Sequence, residues 1–197
     1  MNYPCFFDTI KTIKLQDDLS SFLGTFEDGL IEFSYLDIVK SAGHSCPTTA
    51  GAYLMTLEGL KALYKNELPK RGEIFVSFKN NINDGTIGVI ANIITQITGA
   101  TMTSGFKGIN KKFIRHSLMK FNADISLDIE FQRLDTKTKT EVSYNPNLIP
   151  ADPLQKILMQ KILQNMADNK EKGKFKQLWQ KRVENIFKNT NKVITIK

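Results

Sequence analysis

The pentapeptide Gly43-His44-Ser45-Cys46-Pro47 carries the richest chemistry in the chain. Proline suits the first position of a helix, because the N–H it lacks has no helical partner there. Pro47 at that position makes Cys46 the N-cap. The free N–H groups of the first turn, with Thr48 and Thr49, then face the Cys46 sulfur, and their field stabilises a thiolate. His44, two residues earlier, can aim its imidazole at the same point, and Gly43 allows a sharp turn before the pair. A soft thiolate beside an imidazole suits Zn²⁺, and also copper or iron.

Other readings of the same residues stand beside that one. A structural zinc site needs four ligands, and the sequence offers no second Cys/His pair. A buried cysteine next to a hydrogen-bonded histidine needs no metal at all. A Cys–His nucleophile pair lacks an acyl-transfer signature around it, and a Cys-Pro haem ligand is a further alternative. His116, among Lys111, Lys112 and Arg115, reads as a surface residue, and Cys5, among Tyr3, Phe6 and Phe7, as packing.

The elements that must position these residues follow from hydrophobic spacing. Residues 3–26 read as helical, with Phe6, Phe7, Ile10 and Ile13, then Leu19, Phe22, Leu23 and Phe26. An apolar stretch from Leu30 to Val39 ends at Gly43. A helix from Pro47 to about Tyr64 gathers Ala50, Tyr53, Leu54, Leu57, Leu60 and Tyr64 on one face, with Glu58 and Lys61 outward. Ile74, Val76 and Phe78 alternate as a strand. Asp84 is a candidate N-cap for a helix over 86–98 closed by Gly99; so apolar a helix belongs deep in the fold or in a subunit interface. Strand character returns over 118–134, and the polar link 135–139 joins it to 141–144 as a hairpin. Helices over about 153–167 and 174–188 finish the chain. Helices segregated from strands give an α+β fold: a small antiparallel or mixed sheet with helices packed on it, and a C-terminal helical pair.

The 197 residues suit one domain, 1–150, with a helical extension, 151–197, packed on it; 41% hydrophobic and 24% charged residues allow a real core. No run reaches the roughly 18 apolar residues of a membrane span, and the first residues lack the pattern of a signal peptide. With two cysteines and no export signal, the thiols are expected to be reduced and the location cytoplasmic. Collagen, coiled coil and disulfide scaffold are excluded. Residues 151–197 hold eleven basic and four acidic side chains, a surplus of seven, while the first 150 residues hold sixteen of each. Such a segment attracts nucleic acid or anionic surfaces. Its aromatics, Phe175, Trp179 and Phe187, fall with Leu178, Val183 and Ile186 at helical spacing, which reads as packing rather than base stacking.

Gly43-His44-Ser45-Cys46-Pro47, followed by Gly51-Ala52-Tyr53, resembles the GHxCPG segment of the FmdE family of formylmethanofuran dehydrogenase subunits. About fifty residues on, Ile97-Thr98-Gly99-Ala100-Thr101 and then Gly105-Phe106-Lys107-Gly108 resemble that family's second signature, a Cys-x-x-Asp helix leading into Thr-Gly-Cys-Thr and a glycine- and lysine-containing loop. The likeness spans Phe33 to Phe131, about half the chain. It implies an α+β domain, commonly a homodimer, with zinc or another transition metal near the His-x-Cys pair. The dehydrogenase itself is a molybdenum or tungsten complex, and a shared fold does not transfer that activity.

The chain departs from the family pattern at several positions. Val89 stands where the family has its helix cysteine, Asn92 for its aspartate, Ala100 for its second cysteine and Ala42 for a frequent histidine. Residues 150–197 contain no Cys or His, so the family's C-terminal zinc finger has no counterpart. His44 and Cys46 remain as metal ligands; Tyr35, Asp37, Asp84, Thr101 or a partner subunit are candidates to complete the site. Three functions follow as expectations: a metal protein with an open position for a small ligand, a non-catalytic carrier of a metal or metal cofactor, and an anionic-surface or nucleic-acid binder using the C-terminal helices.

Overall fold

The computed structural model describes residues 2–197, beginning with a 3₁₀ turn at Cys5–Thr9. Strand β1 (Ile13–Gln16) follows, then the short helix α1 (Asp18–Phe22) and strand β2 (Leu30–Phe33), which pairs antiparallel with β1. The expected helix over 3–26 is thus overturned. Ile13 and Leu15 are buried while Lys14 is exposed, a period of two that the three-residue spacing of Ile10 and Ile13 concealed. Asp17 starts α1 by accepting from the N–H groups of Leu19 and Ser20, each at 3.1 Å.

Helix α2 (Tyr35–Ala42) begins with a reciprocal cap between Ser34 and Asp37 and stops at Gly43, whose φ of 77° suits a residue without Cβ. Helix α3 (Pro47–Tyr64) is buried on almost every side, not along one face as expected, although Glu58 and Lys61 do look outward and pair at 3.5 Å. Strand β3 (Ile74–Phe78) and helix α4 (Ile87–Thr98), closed by Gly99, come next. Thr86 holds the N-cap position of α4, whereas Asp84 accepts from the Asn81 N–H in the turn before it.

The strand character expected over 118–134 resolves into β4 (Met119–Lys120) and β5 (Ile129–Arg133), and the hairpin partner expected over 141–144 is β6 (Lys139–Tyr144). Helices α5 (Pro153–Leu163) and α6 (Asn169–Lys188), the short α7 (Thr190–Val193) and strand β7 (Ile194–Ile196) end the chain. The larger sheet has the order β4-β3-β5-β6-β7, antiparallel except between β3 and β4. The fold is α+β.

Helix α3 lies against β5, β6 and β7 on one side and α2, α4 and α6 on the others. Two glycines let it approach the sheet: a Cβ on Gly51 would lie 2.2 Å from the Tyr144 ring, and one on Gly59 2.8 Å from Phe131. From α6, Val183 and Ile186 are fully buried in the same core, and Trp179 and Phe187 pack against it. The aromatic stripe therefore packs, as its spacing suggests.

A buried ion cluster ties the small β1–β2 layer to the main body. Asp17 accepts from Arg71 Nη1 at 3.0 Å and Arg115 Nη2 at 2.7 Å. Arg71 also donates to the carbonyls of Ile97 and Gln96, at the C-terminal end of α4, where the helix dipole favours a cation. Among the described residues no helix is long and apolar enough to cross a membrane.

Candidate functional site

Cys46 is the N-cap of α3, with Pro47 in the first turn. Its half-buried sulfur accepts the Thr49 N–H at 3.4 Å and lies 3.3 Å from Thr49 Oγ1. The sulfur therefore sits at the mouth of α3 with a backbone N–H and a hydroxyl turned towards it. Thr49 is fully buried and Thr48 half-buried, so this part of the turn is held from behind by core.

The residue between the two candidate ligands does the positioning. Ser45 is buried, and its Oγ is 2.9 Å from the hydroxyl of the fully buried Tyr35. Its carbonyl accepts from Trp179 Nε1 at 3.0 Å and Gln180 Nε2 at 3.4 Å, both on α6. On the other side Tyr144 donates to the Pro47 carbonyl at 2.9 Å. The loop is thus clamped between α2, α6 and β6. Burial pushes the Tyr35 phenol well above its usual range; the Ser45 hydrogen bond opposes this, and the nearby Cys46 sulfur adds to it. Burial does the same for Tyr144, with Arg182 opposing and Cys46 adding. Both phenols stay protonated at neutral pH and serve as hydrogen-bonding groups, not bases.

His44 is exposed. Its Nδ1 lies 3.0 Å from the Ala42 carbonyl, which can only accept, so Nδ1 carries the proton and Nε2 the free lone pair in the neutral ring. The imidazole borders a cleft of about 510 Å³ between the end of α2 and the outer face of α4, together with Val89, Asn92 and Gln96. Gln96 donates to Ser41 Oγ across the cleft mouth. Val89 and Asn92 are both exposed beside His44. Cys46 does not line this cleft.

The other candidates have partners of their own. Asp37 is held in the α2 cap and pairs with Lys40 at 3.9 Å. Asp84 belongs to the turn before α4. Thr101 donates to the Arg115 carbonyl at 2.8 Å, and its hydroxyl also meets the Ser104 carbonyl. Tyr35 reaches the site only through Ser45. Among the described residues, no three of His, Cys, Asp and Glu are grouped as a metal would require. A closed structural zinc site, which needs four protein ligands, is therefore not assembled among them. Cys5, expected to pack, is exposed, and His116 bonds Ser117 Oγ at 3.0 Å.

Trp179, Gln180 and Tyr144 are absent from the candidates that spacing alone supplies. They reach the loop across about a hundred residues or more, and no local pattern in the sequence marks those contacts. Replacing Trp179 with Phe is expected to keep the ring packing while leaving the Ser45 carbonyl one donor short. The expected loss is about 1 kcal/mol of global stability, with faster amide hydrogen exchange confined mainly to 43–49. Unchanged exchange there would show that the indole N–H does not hold the loop.

No protein-family model matches the chain, and no curated protein matches its sequence.

Proposed function

We propose that this protein binds a divalent transition metal, zinc foremost, through His44 and Cys46, in the manner expected of the FmdE family. The observation that carries the reading is the anchor of the His44 ring: Nδ1 lies 3.0 Å from the Ala42 carbonyl, which in the neutral ring leaves Nε2 as the donor atom for a metal. Metal-binding histidines are characteristically oriented in this way, one ring nitrogen anchored to a carbonyl and the other on the metal. The Cys46 sulfur at the cap of α3, two residues on, supplies the second donor, and metal binding displaces its proton. The remaining positions are filled from outside the chain, by water, a small ligand or the partner in a homodimer. A bound metal would act there as a Lewis acid on that ligand.

A carrier role is the second reading, and one observation favours it. No carboxylate borders the His44 cleft, and Tyr35 and Tyr144 hold their protons, so once His44 holds a metal no general base stands beside it. A metal complex that brings most of its own ligands, haem included, needs little more from the protein than one imidazole and room beside it. The cytoplasm, with its reduced thiols, is the compartment both readings imply.

Elemental analysis of untagged protein tests the proposal. One metal per chain or per dimer is expected, falling at least about tenfold in Cys46→Ser and in His44→Ala and unchanged in Cys5→Ser. Metal at background in the wild-type protein, or unchanged in Cys46→Ser, would reject it. Turnover screening of the metal-loaded protein separates an enzyme from a carrier.

A further inference from the structure

Helix α5 has α6 as its one substantial neighbour, while the later part of α6 packs into the core. The tip of this helical pair carries the two most exposed large apolar side chains of the described residues, Leu163 at 75% and Met166 at 68%. Ile157, further back on α5, is also more than half exposed. Directly after the turn, Lys170, Lys172 and Lys174 stand exposed near the start of α6, and none of the three forms an ion pair among the described residues. Cations near a helix N-terminus oppose the helix dipole, so helix stability does not account for them.

We propose that this tip docks on an anionic lipid bilayer, with Leu163 and Met166 entering the interface and the lysines meeting the headgroups. The inference is independent of the metal site. Charge complementarity selects the occupant. The segment 151–197 carries a surplus of seven positive charges on an otherwise neutral chain, so a second copy docking through the same segment would set like charge against like. A nucleic acid would match the lysines but has nothing to cover two aliphatic side chains, and of the α6 aromatics Trp179 and Phe187 pack on the core. A bilayer offers both apolar depth and negative headgroups, the combination that basic amphipathic segments exploit.

Co-sedimentation with phosphatidylcholine vesicles, with and without phosphatidylglycerol, tests this in low and high salt. The full-length protein is expected to sediment only with the phosphatidylglycerol vesicles, and less as salt rises. Leu163→Ser with Met166→Ser should weaken partitioning by about tenfold or more. Lys170→Gln, Lys172→Gln and Lys174→Gln together should weaken it by at least about as much. All five changes are on exposed side chains, and circular dichroism verifies that both variants stay folded. No sedimentation with either vesicle, or equal sedimentation with both, would overturn the proposal. So would binding that ignores the Leu163/Met166 change, tighter binding to duplex DNA that survives it, or a dimer in solution that it dissolves.

Discussion

Asp17→Ala is expected to destabilise the protein by about 3–5 kcal/mol, enough to leave a chain of this size marginally folded or unfolded. Asp17 is 4% exposed and is the carboxylate shared by the Arg71 and Arg115 guanidinium groups. Arg115 is itself buried and would be left as a charge without its partner. Arg71 suffers less, because the α4 carbonyls still accept from it. The α1 cap also disappears. Urea denaturation measures the loss. Lys14→Ala, which breaks an exposed pair with Glu32, should move the same midpoint by less than about 1 kcal/mol equivalent.

The same cluster sets an acid limit. Burial by itself would raise the Asp17 carboxyl, but the Arg71 hydrogen bond, the Ser20 N–H and the charges of Arg115 and Arg71 outweigh it and hold the group below the usual carboxylate value. A depressed carboxylate stabilises the fold fully above its unfolded value, near about 3.9. That contribution is lost as pH falls through the lower folded value. Stability of the wild-type protein should therefore fall below about pH 4, with a shallower fall in Asp17→Asn. Equal slopes would show that Asp17 does not set the acid limit.

Gly51→Ala carries the second large effect, and its sign depends on one ring. In solution helices alanine is better than glycine by about 1 kcal/mol. Here the new Cβ would meet Tyr144 Cε1 at 2.2 Å and Cδ1 at 2.3 Å, so the ring must leave its seat or α3 must lift off the sheet. Overpacking of this kind costs about 1–3 kcal/mol, more than propensity returns. The Tyr144 hydrogen bond to the Pro47 carbonyl is lost with the seat, which carries the disturbance to Cys46. In a Tyr144→Ala background the clash partner is gone, and the same Gly51→Ala change should become neutral or stabilising. A double-mutant cycle reads this coupling directly; additive losses would show that Tyr144 is not what excludes a side chain at Gly51.

Where local chemistry decides the conformation, the sequence was sufficient. Pro47 after a cap residue begins α3, the uninterrupted apolar spacing carries it to Tyr64, and Gly99 ends α4 in the left-handed region. The alternation of Ile74, Val76 and Phe78 marks β3, and the polar turn at 135–138 marks the β5–β6 hairpin. Residues 3–26 misled because their apolar positions satisfy helical spacing in part, while pairing with β2, a tertiary contact, decides for a strand at Ile13–Gln16. Strand β7 follows a helix and is only three residues long; its pairing with β6, about fifty residues earlier, has no local signature beyond Val193, Ile194 and Ile196. At the site, the Cys46 cap was legible because it is made within four residues. The clamp on Ser45 and the cleft joining His44 to Asn92 were not, because they are built by helices from distant parts of the chain.

Titration of the untagged protein with Co²⁺ tests most directly whether Cys46 and His44 hold a metal, since a thiolate bound to cobalt gives an intense near-ultraviolet charge-transfer band. The band is expected in the wild-type protein and in Cys5→Ser, absent in Cys46→Ser, and weakened with altered visible d–d bands in His44→Ala. A wild-type protein that shows no such band, or a band that persists without the Cys46 sulfur, would contradict the proposed metal site.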